Sequence, residues 1–275
     1  MTDTVPDRRD DEQRRIVRER YAAIATEDEG CCGPETADDS GGCCDGGAAP
    51  DADATAKQLG YDADELAAVG GDANLGLGCG NPQAIADLDP GETALDLGSG
   101  AGFDCFLAAD AVGPEGRVVG VDMTPEMVEK ARVNAAANDA ANVSFRLGEI
   151  EHLPVADATV DAVISNCVVN LSPDKPQVFR EAFRTLRPGG RLAIADVVQT
   201  AQFPPEVTRD PESLAACVAG ASTIDALETM LDDAGFVDID IAPTDDSESF
   251  IREWVDDYDP SDYLVSATIE AQKPE

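Results

Sequence analysis

Basic residues are scarce in this chain: 19 Lys and Arg stand against 56 Asp and Glu, a net charge of −37. A chain so acidic repels phosphate backbones, which argues against a nucleic acid partner. Histidine occurs once, at His152, and no Cys-x-x-Cys is present. The usual Cys/His zinc patterns therefore lack their ligands. No apolar run approaches the roughly 18 residues that argue for a membrane span. Met1–Arg15 carries charges where a secretory leader would carry an apolar stretch. A soluble, cytoplasmic protein with no membrane partner is the expectation. No internal repeat is visible either.

What the chain does have is 43% hydrophobic residues, enough for a sizeable core. The acids are spread along the whole length, with runs of Ala, Val, Leu and Ile between them. That distribution describes a folded protein whose surface is hydrated and screened in concentrated salt, not a disordered acidic tail. A halophilic cytoplasm is the hypothesis. Circular dichroism from low to molar KCl checks it: structure gained with salt is expected, and full structure without salt counts against it. In a reducing compartment the eight cysteines favour metal, metalloid or catalytic roles over structural disulfides.

Apolar periodicity predicts an amphipathic helix over Asp10–Thr26, then a Gly/Asp-rich loop over Glu27–Asp53 holding the pairs Cys31-Cys32 and Cys43-Cys44. A short helix is predicted over Asp62–Val69. Strands at Thr93–Leu97, Arg117–Val121, Val143–Leu147, Val160–Ser165 and Arg191–Val197 interleave with helices at Phe103–Ala111, Pro125–Ala137 and Gln177–Leu186. This alternation predicts an α/β, doubly wound, mostly parallel sheet. Gln199–Gly235 breaks the pattern and reads as a small helical cap. The runs Phe236–Ile241 and Tyr263–Ala271 read as an edge strand and an inserted final strand, separated by a helix-like Ser249–Asp257. The expected divisions are an N-terminal helix and Cys-rich segment (1–70), a cofactor-binding domain (71–198), and a substrate cap with the last strands (199–275).

The turn Leu95–Gly102, with Gly98, Gly100 and Gly102, sits between a buried strand and a helix. Glycines there let the backbone turn sharply and approach a ligand. Ligands of open α/β sheets lie beyond the carboxyl ends of the strands. Asp122 ends the second strand, where its carboxylate suits two ribose hydroxyls, with a helix N-cap or turn acid as the alternative that Thr124-Pro125 offers. Met123 follows, placed to lie against a base. A dinucleotide dehydrogenase shares this logic. Asp96, two residues before the first glycine, would crowd a pyrophosphate but suits the ammonium of an amino-acid-bearing cofactor. Leu95–Gly102, Val119-Gly120-Val121-Asp122 and Leu186-Arg187-Pro188-Gly189-Gly190-Arg191 resemble the class I S-adenosylmethionine methyltransferases, over about Ala84–Val198. The resemblance implies that fold and cofactor, and assigns Glu149 and Ile150 to the adenine side.

Cys79, Cys167 and Cys217 come from the loop before the first strand, the end of the fourth strand and the cap. A doubly wound fold can bring these places together above one pocket, and three thiolates suit a soft, thiophilic centre better than zinc. Each cysteine alone also reads as a small buried hydrophobe. Gly76–Pro82, Ser165–Lys175 and Cys217–Ala221 are similar to arsenite methyltransferases across nearly the whole chain. The resemblance implies that Cys79, Cys167 and Cys217 carry trivalent arsenic, as arsenite or a thiol conjugate, and that Cys31 or Cys32 serves in capture. It also implies a thiol or thioredoxin-type reductant and a role in detoxification. Two rivals stay open: a small-molecule C- or O-methyltransferase of the same fold, and a non-catalytic arsenic or antimony binder. Among the remaining residues, His152 reads as a surface or capping group, Glu151 and Asp157 as solvated acids, and Trp254 as packing a helix onto the sheet.

Overall fold

The computed structural model describes residues 8–26, 52–204, 218–244, 247–252, 254 and 258–275. Seven strands form one sheet: β1 (Thr93–Leu97), β2 (Arg117–Asp122), β3 (Val143–Leu147), β4 (Val160–Asn166), β5 (Leu186–Gln199), β6 (Val237–Pro243) and β7 (Leu264–Gln272). Their spatial order is β3-β2-β1-β4-β5-β7-β6. β1 to β5 are parallel, and β7 runs antiparallel between β5 and the edge strand β6. Ala94, Leu95 and Leu97 of β1 are fully buried, because helices cover both faces of a parallel sheet and leave no polar side to alternate with. The expected doubly wound sheet with an inserted last strand is what the chain forms.

The helices are α1 (Arg8–Thr26), α2 (Ala52–Gln58), α3 (Ala63–Ala68), α4 (Gln83–Ala86), α5 (Phe103–Val112), α6 (Pro125–Ala137), α7 (Lys175–Thr185), α8 (Ile224–Ala234) and α9 (Glu248–Ile251). α7 starts two residues before its expected first residue because Asp174 accepts a bond from the Gln177 N–H and caps it. β5 begins at Leu186, not Arg191. The Arg187–Gly190 turn is absorbed as a register shift, with Val160 opposite Leu186 and Ala162 opposite Arg191.

Two expectations about organisation change. Residues 224–234 do not belong to a separate cap: Leu227 and Leu231 of α8 pack into the same core as Phe179, Leu192 and Ile194. Nor does α1 stand apart. Its Val17 is 1% exposed and packs in a cluster that contains Cys79 and Cys167. Gln13 donates to the Leu171 carbonyl at 3.0 Å, and Arg14 reaches Glu151 at 3.3 Å. The helix-like stretch near Trp254 is shorter than expected, Glu248–Ile251. Among the described residues no helix is long and apolar enough to cross a membrane.

Candidate active site

The turn between β1 and α5 adopts the shape that its glycines permit. Gly98 has φ 70°, and a Cβ there would stand 2.5 Å from Val168. Only glycine fits both constraints. The Gly98 and Ser99 N–H groups donate to the Val121 carbonyl at 2.7 and 3.0 Å, locking the turn to the end of β2. Gly102 packs against Phe106 and Phe145 and is not among the residues facing the cavity, so it serves helix packing while Gly98 and Gly100 serve the ligand side.

A cavity of about 310 Å³ opens beside this turn, within the size range of small-molecule sites. Asp96, Asp122, Met123 and Ile150 line it, as expected, together with Cys167. Glu149 does not. It pairs instead with Arg18 at 3.3 Å and lies 3.7 Å from Arg14. Its neighbour Glu151 takes the place in the wall, although the sequence read it as solvated. Glu151 is 4% exposed and accepts from Ser172 Oγ at 2.6 Å. In β3–α7 order the two acids are close together in the chain, and only the register at the strand end decides which faces inward. Trp254 also lines the cavity, with its ring 5.9 Å from that of Phe250.

Asp122 serves the turn, one of the two roles that the sequence left open, and lines the cavity as the other requires. Its Oδ2 accepts from the Gly100 N–H at 3.0 Å and its Oδ1 from the Thr124 N–H at 2.8 Å, and it still faces the cavity. Burial raises its pKa, and those two N–H groups oppose the rise. Asp96 is raised well above the ordinary carboxylate value, first by burial and then by the charge of Asp104. Cys105 Sγ donates to it at 3.2 Å.

Asp104, on α5, was not singled out in the sequence. It accepts from Tyr61 Oη at 2.7 Å and is raised, mainly by burial. Three carboxylates around one cavity, Asp96 buried and Asp104 and Asp122 half-buried, favour a cationic ligand. Ser99 Oγ, in the same wall, is buried without a hydrogen-bond partner. S-adenosylmethionine carries an ammonium, a sulfonium and ribose hydroxyls, and these residues fit it.

Cys79 and Cys167 come together. Their Cα atoms lie 5.5 Å apart and the two are joined as a disulfide across 88 residues of sequence. The loop before β1 and the end of β4 bring the two sulfurs within reach of each other. Cys79 is fully buried and Cys167 is 8% exposed. Cys167 has φ 57°, a left-handed conformation that costs a non-glycine residue about 1–3 kcal/mol and that clusters at functional sites.

Asn166 ties the thiol loop to the cofactor side. Its Oδ1 accepts from the Cys79 N–H at 3.0 Å, and its Nδ2 donates to the Gly80 carbonyl at 2.8 Å and to Tyr61 Oη at 2.9 Å. Asp196, 1% exposed on β5, lies 3.9 Å from Cys79 Sγ. Burial pushes its pKa up to about 6. A lone acid inside the apolar run Leu192–Val198 was the available signal for it. Cys31, Cys32 and Cys217, like Cys43 and Cys44, lie outside the described residues.

The raised carboxyls have a pH consequence. An acid whose folded pKa exceeds its unfolded value stabilises the fold fully below the ordinary carboxylate value of about 3.9. That contribution is lost as pH rises through the folded value, about 6 for Asp196. In molar salt the ligand-free protein is therefore expected to melt higher at about pH 5 than at about pH 7. Affinity for the cationic cofactor should fall on acidification from about pH 7 to about pH 5, because Asp104, raised to about 6, is then protonated and no longer attracts it. Calorimetry in buffers of different ionisation enthalpy reads the accompanying proton release. A flat affinity with no proton release would contradict the charge argument.

A methyltransferase-domain family model matches residues 88–235. The chain is 62% identical over 273 residues to an arsenite methyltransferase of Halobacterium salinarum, covering 98% of this chain and 69% of that relative. An arsenite methyltransferase of Aquipseudomonas alcaligenes is 44% identical over 168 residues, 58% of this chain and 48% of the relative. Among solved structures, an arsenic(III) S-adenosylmethionine methyltransferase from Chlamydomonas reinhardtii superposes with a TM-score of 0.59 at 33% identity, covering 81% of this chain and 73% of that one. The salt-adapted surface read from the acids accords with the source of the first of these. With a doubly wound sheet, an acid-lined cavity at the glycine turn and a cysteine pair at its edge, this chain belongs to the arsenite methyltransferase family of class I methyltransferases.

Proposed function

We propose that this protein methylates trivalent arsenic, presented as arsenite or a thiol conjugate, and so serves arsenic detoxification. The observation that carries the reading is the meeting of Cys79 and Cys167 at the wall of the acid-lined cavity. Cys217 is the third thiol of the site, and Cys31 or Cys32 delivers the ion to it.

S-adenosylmethionine, when bound, supplies an electrophilic methyl group on a sulfonium. Asp96 would hold the cofactor's ammonium, Asp122 its ribose, and Met123, Ile150 and Glu151 its base, with the Gly98–Ala101 backbone at the turn beside it. The acceptor is prepared by ligand exchange: each cysteine S–H and each As–OH give one S–As bond and one water. Arsenic in that state keeps a lone pair, so no side chain has to remove a proton at the reacting atom. What remains for the protein is alignment and exclusion of water, which the apolar cluster around Cys79 and Cys167 provides with Leu171, Phe203 and Phe250.

Cys79 and Cys167 bind arsenic as thiols, so any disulfide between them is first reduced by two electrons. A small thiol or a thioredoxin-type protein supplies these, leaving as its own disulfide. The reduced protein, incubated in molar KCl with S-adenosylmethionine, arsenite and thiol, is expected to yield methylated arsenic on chromatographic separation. Arsenite bound tightly without methylation would leave a binding protein. Neither binding nor methylation would overturn the assignment.

A further inference from the structure

The thiol-bearing segments converge on two buried polar side chains that take no part in the chemistry above. Asp196 is 1% exposed and Asn170 2%. Asn170 lies in the short turn Val169–Leu171, directly after Cys167. Its Nδ2 donates to Asp196 Oδ1 at 2.8 Å and to the Val197 carbonyl at 2.6 Å, and its backbone N–H donates to Asp196 Oδ2 at 3.3 Å. The same Asp196 oxygen, Oδ1, stands 3.9 Å from Cys79 Sγ. The sulfurs of Cys79 and Cys167 and a carboxylate oxygen of Asp196 all lie within 4.8 Å of one another.

A third segment meets the same pair from the other side. A Cβ placed on Gly220 would stand 2.1 Å from the Asn170 carbonyl oxygen, so the Gly220 backbone presses directly on Asn170. Gly220 does not have the left-handed φ that favours glycine; space alone requires it. The segment continues to Ser222, whose carbonyl accepts from the Gln199 N–H at 2.9 Å and which bridges to Val198 of β5. In the chain, Gly220 follows Cys217 by three residues.

We infer that Asn170 and Asp196 are a positioning pair that sets the register of the segments bearing Cys79 and Cys167, so that arsenic meets both sulfurs at once. The inference rests on the arsenic reading above. Trivalent arsenic bound by thiolates needs its sulfurs at the base of one pyramid, and a displacement of about 1 Å in such an arrangement costs on the order of a hundredfold in rate. A buried carboxylate and amide that merely satisfied each other would stabilise the fold without affecting which sulfurs reach arsenic.

Gly220→Ala separates the two cases, since its methyl collides with the Asn170 carbonyl and leaves the cofactor turn untouched. Asn170→Ser, which shortens the side chain and inserts nothing, makes the same comparison if Gly220→Ala does not fold. In the reduced full-length protein, X-ray absorption counts sulfur neighbours around bound arsenic, and calorimetry gives both ligand affinities. Expected are one sulfur neighbour fewer, arsenite affinity weaker by about tenfold or more, and S-adenosylmethionine affinity within about twofold of the parent. A folded variant with the parent's sulfur count and arsenite affinity overturns the pairing. A parent protein that binds no arsenite overturns the arsenic reading itself, and the pairing with it.

Discussion

Replacing Cys167 with serine is expected to slow arsenite methylation by about a hundredfold or more, with S-adenosylmethionine affinity unchanged to within about twofold. The serine hydroxyl preserves shape but gives arsenic a poor, hard ligand in place of a soft one. Cys167 sits at the wall of the cavity on a strained φ of 57°, and the nearby Asp196 carboxylate is a hard ligand that does not replace a soft one. Cys79→Ser and Cys217→Ser should behave alike. Initial rates of methylated-arsenic formation, measured beside calorimetric cofactor binding, check all three. Loss of cofactor binding in Cys167→Ser would make that residue part of the cofactor wall instead, and full activity in any variant removes that thiol from the site.

Asp122→Ala should weaken S-adenosylmethionine binding by about a hundredfold, corresponding to roughly 2.7 kcal/mol. Two losses combine. In the proposed binding mode the ribose loses its carboxylate acceptor, and the Gly100 and Thr124 N–H groups, now paired to Asp122 at 3.0 and 2.8 Å, lose theirs. An unpaired buried donor costs about 1–3 kcal/mol, and here the cost falls on the turn that holds the cofactor. Asp122→Asn, which keeps one acceptor oxygen, should lie between the two. Titration calorimetry in high salt gives the dissociation constants; an Asp122→Ala variant that binds as the parent does would show that Asp122 serves the turn alone.

The sheet was legible in the sequence because β1 and β2 are apolar runs that end at Gly98 and Asp122, and because strand-like and helix-like segments alternate along the chain. The glycine turn, Asp96 and Asp122 were legible for the same reason: a strand end in this fold is a ligand position. Glu149 and Glu151 show where that logic stops. Periodicity locates the end of β3 but not which of two nearby acids turns inward, and the partners that decide it, Arg14 on α1 and Ser172 after β4, are remote in the chain. Tyr61, Asp104 and Asn170 were missed because each acts through a tertiary hydrogen bond that no local pattern encodes. Asp196 could have been found, since an acid in the middle of a buried strand needs a partner or a purpose. The pairing of Cys79 with Cys167 needed the fold itself, because the wide spacing left burial, metalloid binding and disulfide formation all open.

The last strand bears on how the molecule is assembled in time. β7 inserts between β5 and β6, and its Ser266 hydroxyl donates to the Cys79 carbonyl, joining residues 187 apart in the sequence. A contact of such length must wait for nearly the whole chain to be synthesised and for the slow, non-local closure of the sheet. The backbone hydrogen bonds that the Gly98 and Ser99 N–H groups of the cofactor turn donate both run to Val121 of β2, so they can form early. The thiol loop is fastened only when the C-terminal strand docks, which makes the ability to hold arsenic the last property that this fold acquires.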